Sequence, residues 1–253
     1  MPMTPSGHLL ELFSAPQGEG VLAGTPMLFV RFSGCAIGCR FCDTRRSWKR
    51  SPEGHLRWGG EGVEAGAEPF QNPVHVAVVQ GWAERFRARQ PGLAWISLTG
   101  GEPLEQPAFA ASLAKALKGD GWKLYLETAG LHPAAMRKLS PTVDFVSMDW
   151  KLESSARIKP NPRSHKAFLK AVGSLPGQVK AVVVASTPAR EVEAAAEAVS
   201  GVQPSWSFVV QPRTEAPPPP EALARLASAA ARRLASVRIL RQGHRLTAGG
   251  PAL

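Results

Sequence analysis

All three cysteines of this 253-residue chain fall in one short string, Cys35-Ala36-Ile37-Gly38-Cys39-Arg40-Phe41-Cys42. Three thiolates this close cannot pair off as disulfides. They can share one soft metal centre, because sulfur ligands favour zinc, copper(I) and iron–sulfur clusters. A zinc site wants a fourth ligand at a regular spacing, and the nearest histidine, His55, lies well beyond Cys42. A cubane iron–sulfur cluster normally takes four cysteines. Supplying three leaves one iron open to another molecule, so the pattern reads as a [4Fe–4S] cluster held by Cys35, Cys39 and Cys42 and built for chemistry more than for electron storage. A basic, zinc-containing nucleic-acid-binding protein is the rival that the cysteines alone leave open.

Three more strings carry chemically useful groups. In Thr99-Gly100-Gly101-Glu102-Pro103 the glycines let backbone approach a ligand closely, and Glu102 offers an acceptor for an ammonium group; an ordinary turn with a capping acid is the plainer reading. Glu11-Leu12-Phe13-Ser14-Ala15-Pro16-Gln17-Gly18-Glu19-Gly20 ends in a polar loop that a surface turn would also explain. Arg31, just before the cysteines, can pair bidentately with a carboxylate. Asp43 and Thr44 follow Cys42 directly, where they can cap the next turn.

The elements that must position these groups alternate along the chain. Strands are expected at Met27–Phe32, Trp95–Leu98, Lys123–Glu127, Phe145–Met148, Val179–Ala185, Trp206–Gln211 and near Val237–Leu240. Helices are expected at Val76–Arg89, Pro107–Leu117, Ser164–Leu175, Arg190–Val199 and near Glu221–Leu234. Unbroken apolar runs such as Ala181-Val182-Val183-Val184 fit strands covered on both faces. Strands alternating with helices of this length imply a parallel sheet with right-handed crossovers, in which functional groups gather at the carboxyl ends of strands. The motifs sit there. Residues 43–72 show no periodicity and are expected to form an irregular insertion, and Pro217–Pro220 a stiff linker ahead of the last helix. The whole, residues 1–253, is expected to be one domain.

Composition narrows the classes. A 44% hydrophobic content supports a real core, and nothing approaches the roughly 20 apolar residues of a membrane span. The N-terminus lacks a signal-peptide layout, and no second cysteine group suggests a disulfide scaffold, so a reduced cytoplasm is expected. The net charge of +10 invites nucleic acid, but the basic residues are spread out, apart from Arg45–Arg50, and there is one tyrosine. No base-stacking platform is visible, no nucleic acid is required, and anionic small molecules suit the same balance.

With Phe41 preceding the third cysteine, the Cys-x3-Cys-x2-Cys spacing resembles the signature of the radical SAM superfamily. In that superfamily the open iron binds the amino and carboxylate groups of S-adenosylmethionine, and an electron from the cluster releases a 5′-deoxyadenosyl radical. Gly-Gly-Glu-Pro resembles the segment that holds the methionine moiety. The layout from Gln17-Gly18-Glu19-Gly20 through Phe29-Val30-Arg31-Phe32 to Gly34-Cys35 further resembles the 7-carboxy-7-deazaguanine synthase family. That resemblance implies an incomplete (β/α) barrel of about six parallel strands. It implies conversion of 6-carboxy-5,6,7,8-tetrahydropterin to 7-carboxy-7-deazaguanine with loss of ammonia, on the route to queuosine and other 7-deazapurines. It assigns substrate contacts to Pro16, Gln17, Gly18, Glu19, Arg31, Thr99 and His244, and Mg²⁺ to Thr44. Cofactor contacts fall on Phe41, Asp43, Gly101, Glu102, Glu127, Ser147, Asp149, Lys151 and Gln211. An electron donor such as flavodoxin or ferredoxin and a homodimer are implied as well. A glycyl-radical activating enzyme shares the cysteine and Gly-Gly-Glu-Pro motifs, but has no need for Gln17, Gly18, Glu19, Arg31 and Thr44 together.

Overall fold

The computed structural model describes residues 5–59 and 66–243. The chain opens with β1 (Ser6–Gly7) and β2 (Leu9–Pro16), turns, and returns antiparallel as β3 (Pro26–Phe32). After the cysteine loop comes a hairpin, β4 (Glu53–Arg57) and β5 (Ala67–Gln71), and then β6 (Val74–His75), which pairs with β1. From there helix and strand alternate: α1 (Val76–Arg89), β7 (Trp95–Thr99), α2 (Pro107–Gly119), β8 (Lys123–Thr128), α3 (Pro133–Leu139) and β9 (Phe145–Asp149). The second half continues with α4 (Glu153–Ala156), α5 (Pro162–Val172), β10 (Gly177–Val183), α6 (Ala189–Ser200), β11 (Ser207–Pro212), α7 (Pro220–Ala231) and β12 (Val237–Ile239).

Ten strands form one sheet in the order β12-β11-β10-β9-β8-β7-β3-β2-β4-β5. The run from β3 through β7, β8, β9, β10 and β11 to β12 is parallel throughout. This is the incomplete barrel that was expected, with the short β12 added to the six-strand core and both outer strands left unjoined. Side chains alternate across each strand, and that alternation separates core from site. Val30, Leu98, Leu126, Met148, Ala181 and Val210 are buried with the helices in one hydrophobic core. Their neighbours Arg31, Thr99, Glu127, Asp149, Lys180 and Gln211 line the other face. A small aromatic layer of Phe13, Met27, Phe29 and Tyr125 lies deeper on that inner face. Among the described residues no helix is long and apolar enough to cross a membrane.

Several expectations change. The 43–72 segment is not irregular throughout: β4 and β5 extend the sheet, and their side chains cover α1, with Trp58 on Phe86 at 4.3 Å and Phe70 on Trp82 at 4.6 Å between ring centroids. The strands are short, carry Gly54, Glu68 and Pro69, and owe their register to packing that periodicity cannot show. β2 is not among the expected strands. Its pattern is masked because Leu12 and Phe13 are both fully buried, one in each hydrophobic layer. The helix expected at Ser164–Leu175 starts earlier, because the Asn161 side chain accepts from Ser164 N at 3.1 Å, and it stops at Gly173, whose φ is +70°. Pro220 is the first residue of α7 and not linker, which suits a residue with no N–H to lose there. The short helices α3 and α4 were not anticipated.

Phe86→Ala should cost about 3–5 kcal/mol by emptying the contact between the hairpin and α1. Urea unfolding of the apoprotein reads this directly, and a change below about 1 kcal/mol would mean the hairpin does not depend on that contact.

Candidate active site

A single cavity gathers nearly every motif residue, at the carboxyl ends of β3, β7, β8, β9, β10 and β11. The cysteine loop leaves β3 through Gly34, whose φ of +105° only glycine adopts easily. It is tied down by Gly34 N to Ser47 O at 2.7 Å and Cys35 N to Trp48 O at 3.0 Å. Cys35, Cys39 and Cys42 are all free thiols on the cavity wall. Burial pushes the Cys35 thiol up to about 11 and raises Cys39 as well. Such thiols stay protonated at neutral pH unless a metal centre draws them out as thiolates. Among the described residues no three or more His, Cys, Asp or Glu groups stand close enough to hold a single ion. A cubane fits this spread better, since each cysteine ligates a different iron.

The Gly100–Glu102 loop is docked onto the cysteine loop. Glu102 N donates to Gly34 O at 2.9 Å, and Ala36 N donates to Glu105 Oε1 at 2.9 Å. A Cβ on Gly100 would fall 1.8 Å from Arg31 Cγ, and one on Gly101 2.6 Å from Gly34 O, so both glycines are required by packing. The Glu102 carboxylate is buried and already accepts from Thr128 Oγ1 at 2.8 Å, Ala129 N at 2.8 Å and Leu104 N at 3.1 Å. Burial outweighs those donors and raises its pKa. Its first task is therefore to lock the ends of β7 and β8 together, and an ammonium would have to share it.

Arg31 stands opposite Glu11 in the β2–β3 register. Glu11, which is fully buried, receives Arg31 Nε at 2.9 Å, Arg46 Nη2 at 2.6 Å and Arg57 Nε at 2.7 Å. One carboxylate thus gathers three guanidiniums, and of these Arg31 lines the cavity, where it can meet an anionic ligand. Arg31 Nη1 also donates to Thr44 Oγ1 at 3.3 Å, and Thr44 donates to Asp43 at 3.0 Å. A cation at Thr44 would meet a hydroxyl with one lone pair in use.

Glu127 organises the loop after β2. It accepts from Gln17 Nε2 at 2.9 Å, Thr99 Oγ1 at 2.9 Å and Ser97 Oγ at 3.2 Å. It thus sits among expected substrate contacts, although the sequence grouped it with the cofactor. Glu19 accepts from Gln242 at 2.6 Å and Gln211 at 3.2 Å and pairs with Lys180. Asp149 pairs with Lys151 at 3.0 Å, and the Lys151 ammonium lies 5.1 Å from the centre of the Phe41 ring. Gln211 Oε1 is buried without a partner among the described residues, an acceptor that suits a ligand N–H.

Pro16, Gln17, Gly18, Glu19, Arg31, Thr99, Phe41, Asp43, Thr44, Gly101, Glu102, Glu127, Asp149, Lys151 and Gln211 all line this cavity with the cysteines. Ser147 does not. It is buried one layer deeper and bonds Gln178 at 2.9 Å, so it braces the sheet. His244 lies outside the described residues, though Gly243 N reaches Gly18 O at 2.6 Å. Glu11, Arg57 and Lys180 were missed as site residues. A charged residue inside an apolar strand, as in Gln178-Val179-Lys180-Ala181, was the signal that would have found Lys180.

Comparison with known proteins agrees with this geometry. Residues 29–172 match the radical SAM superfamily. The chain is 34% identical to the 7-carboxy-7-deazaguanine synthase of Geobacter sulfurreducens over 251 residues, 95% of this chain and 97% of that protein. It is 32% identical to the 7-carboxy-7-deazaguanine synthase of Methanopyrus kandleri over 250 residues, 96% of this chain and 94% of that one. The fold resembles the crystal structure of QueE from Escherichia coli with a TM-score of 0.61 at 20% identity, covering 94% and 95% of the two chains.

Glu11→Gln should destabilise the apoprotein by about 3–5 kcal/mol, because it removes the anion that buried guanidiniums share. Guanidinium chloride unfolding checks this, and an unchanged midpoint would mean that the arginines find other partners.

Proposed function

The chain belongs to the 7-carboxy-7-deazaguanine synthase family of the radical SAM superfamily, and we propose that the cavity described above carries out that family's reaction with the residues assigned below. The enzyme takes a [4Fe–4S] cluster and S-adenosylmethionine and acts on a small molecule. It converts 6-carboxy-5,6,7,8-tetrahydropterin to 7-carboxy-7-deazaguanine and ammonia. The substrate's atoms equal those of the two products, so the net reaction is redox-neutral and no side chain need supply electrons.

The observation that carries the reading is the meeting, in one cavity, of the three cysteines, the Gly100–Glu102 loop and the set Gln17, Glu19 and Arg31. Cys35, Cys39 and Cys42 would hold the cluster. Gly101, Glu102, Phe41, Asp43, Asp149, Lys151 and Gln211 would hold S-adenosylmethionine beside it. When bound, the pair supplies a carbon radical that removes hydrogen from the substrate. The chain itself binds and orients. Arg31, already fixed by Glu11, presents its guanidinium to the substrate carboxylate. Gln17 and Glu19 meet the pyrimidine edge, and Glu127 holds Gln17 and Thr99 in place for that contact. Aligning the reactive carbon in this way removes much of the entropic barrier. Thr44 is the residue that would hold Mg²⁺, a hard cation that its hydroxyl oxygen suits and that would supply positive charge beside the substrate. A low-potential donor such as flavodoxin or ferredoxin and a homodimeric assembly belong to the same proposal.

Anaerobically reconstituted protein with S-adenosylmethionine, reductant, Mg²⁺ and the carboxytetrahydropterin should release 7-carboxy-7-deazaguanine. No product, together with a glycyl radical formed on a partner protein, would overturn the reading. Arg31→Ala should raise the pterin KM about thirtyfold or more, the scale of a truncated buried charge contact, while S-adenosylmethionine is still cleaved without product. Equal loss of both activities would count against Arg31 as the carboxylate clamp. Thr44→Val should abolish stimulation by added Mg²⁺, and a variant as Mg²⁺-responsive as the parent would remove Thr44 from the metal site.

A further inference from the structure

Lys180 lies outside every motif discussed above, yet it is the most deeply buried cation in the cavity, its side chain 2% exposed. It sits in the middle of β10, in register with Asp149 on β9. Its ammonium pairs with one oxygen of Glu19 and lies 3.7 Å from Asp149. The other Glu19 oxygen is held by Gln242 and Gln211. The second oxygen of Asp149 is held by Lys151. Lys180 thus links by charge the loop after β2, where substrate contacts are proposed, to the end of β9, where cofactor contacts are proposed.

We propose that Lys180 is a positioning residue for this reaction, acting through Glu19 to keep that carboxylate ionised and aimed at the N–H edge of the pterin's pyrimidine ring. The inference rests on Glu19 being a substrate contact, as read above. The pyrimidine edge presents N–H donors side by side. An ionised carboxylate accepts from both once the Gln211 and Gln242 amides give way at its outer oxygen, whereas a protonated one spends an oxygen carrying its own hydrogen.

The surroundings explain why a lysine is needed. Glu19 faces Lys180 on β10, Asp149 on β9, Tyr125 on β8, and Gln211 and Gln242 from the far wall; Glu127 acts on Lys180, and Lys151 and Asp43 act on Asp149. Burial resists ionisation of Glu19, and the Lys180 charge overcomes it, holding the carboxyl below its usual range. The two carboxylates in turn raise Lys180 well above the usual lysine range. Without that ammonium, Glu19 keeps its burial and the repulsion of Asp149 and loses its cation, so its pKa rises. Substrate binding that needs the carboxylate is present above that raised pKa and lost as pH falls through it.

The test is the pterin KM of reconstituted holoenzyme between about pH 5.5 and 8.5, a window above the ordinary glutamate range. The parent enzyme should be nearly flat. Lys180→Met should show a KM that climbs about tenfold or more toward the acid end, one pKa unit being a factor of ten, with a smaller change in kcat. Glu19→Gln should be flat at a raised KM, and adding Lys180→Met to it should change KM by less than about twofold, as expected when one residue acts through the other. Should Lys180→Met alone not fold, the double variant against Glu19→Gln makes the same comparison. A pH-flat Lys180→Met, or an equal effect of Lys180→Met in both backgrounds, would overturn the inference while parent turnover leaves the functional reading standing. A parent enzyme inactive on the pterin would sink that reading and this inference with it.

Discussion

Buried charge on the inner face of the sheet is the constraint on which the rest of this structure depends. A carboxylate or ammonium taken out of water is costly unless it is paired and hydrogen-bonded. This chain places Glu11, Arg31, Arg57 and Lys180 where they are nearly inaccessible. Each is answered by a charge from another element. Glu11 on β2 collects arginines from β3, the cysteine loop and β4. Lys180 on β10 collects Glu19 and Asp149. The pairs therefore help to decide where the loops sit: a displaced Gln17–Glu19 loop would take Glu19 from Lys180, and a displaced hairpin would take Arg57 from Glu11.

Backbone contacts complete the arrangement where side-chain charge does not reach. The loop carrying Gly100 and Gly101 lies so close to Arg31 and Gly34 that no side chain fits. Glu102 then holds Thr128 and Ala129 at the neighbouring strand end. The cysteine loop, the glycine loop and the ends of β7 and β8 are thus bonded to one another. The proposed substrate and cofactor residues share those contacts, because Arg31 is packed against Gly100 on one side and paired with Glu11 on the other. The same packing ties the hairpin of residues 53–71, which contributes Arg57, to the site.

Much of this was legible in the sequence. The seven parallel strands announced themselves because each is a short apolar run followed by a turn, and the motif residues fell at their carboxyl ends as that architecture requires. The cysteine spacing and the Gly-Gly-Glu-Pro string needed no tertiary information. What was not legible depended on pairing across long separations. Nothing local says that Glu11 will meet Arg57, or that Lys180 will meet Glu19. β4 and β5 were invisible because charged and small residues break their alternation, and pairing to β2 together with the aromatic cover over α1 holds them as strands. Ser147 misled for the opposite reason: it stands in a recognisable string and shares a face with Asp149, but lies two residues deeper along β9, in the layer beneath the cavity, where Gln178 Nε2 donates to its hydroxyl.

The central claim is that these paired charges, and not a protein nucleophile, hold a carboxylated pterin against the cofactor. An anaerobic crystal structure of the reconstituted enzyme with S-adenosylmethionine and 6-carboxy-5,6,7,8-tetrahydropterin tests it most directly. The account predicts the substrate carboxylate on Arg31 and the pyrimidine edge on Gln17 and Glu19, with the Glu11 and Lys180 pairs intact. A pterin bound with its carboxylate away from Arg31, or with Glu19 and Lys180 parted to admit it, would contradict the account.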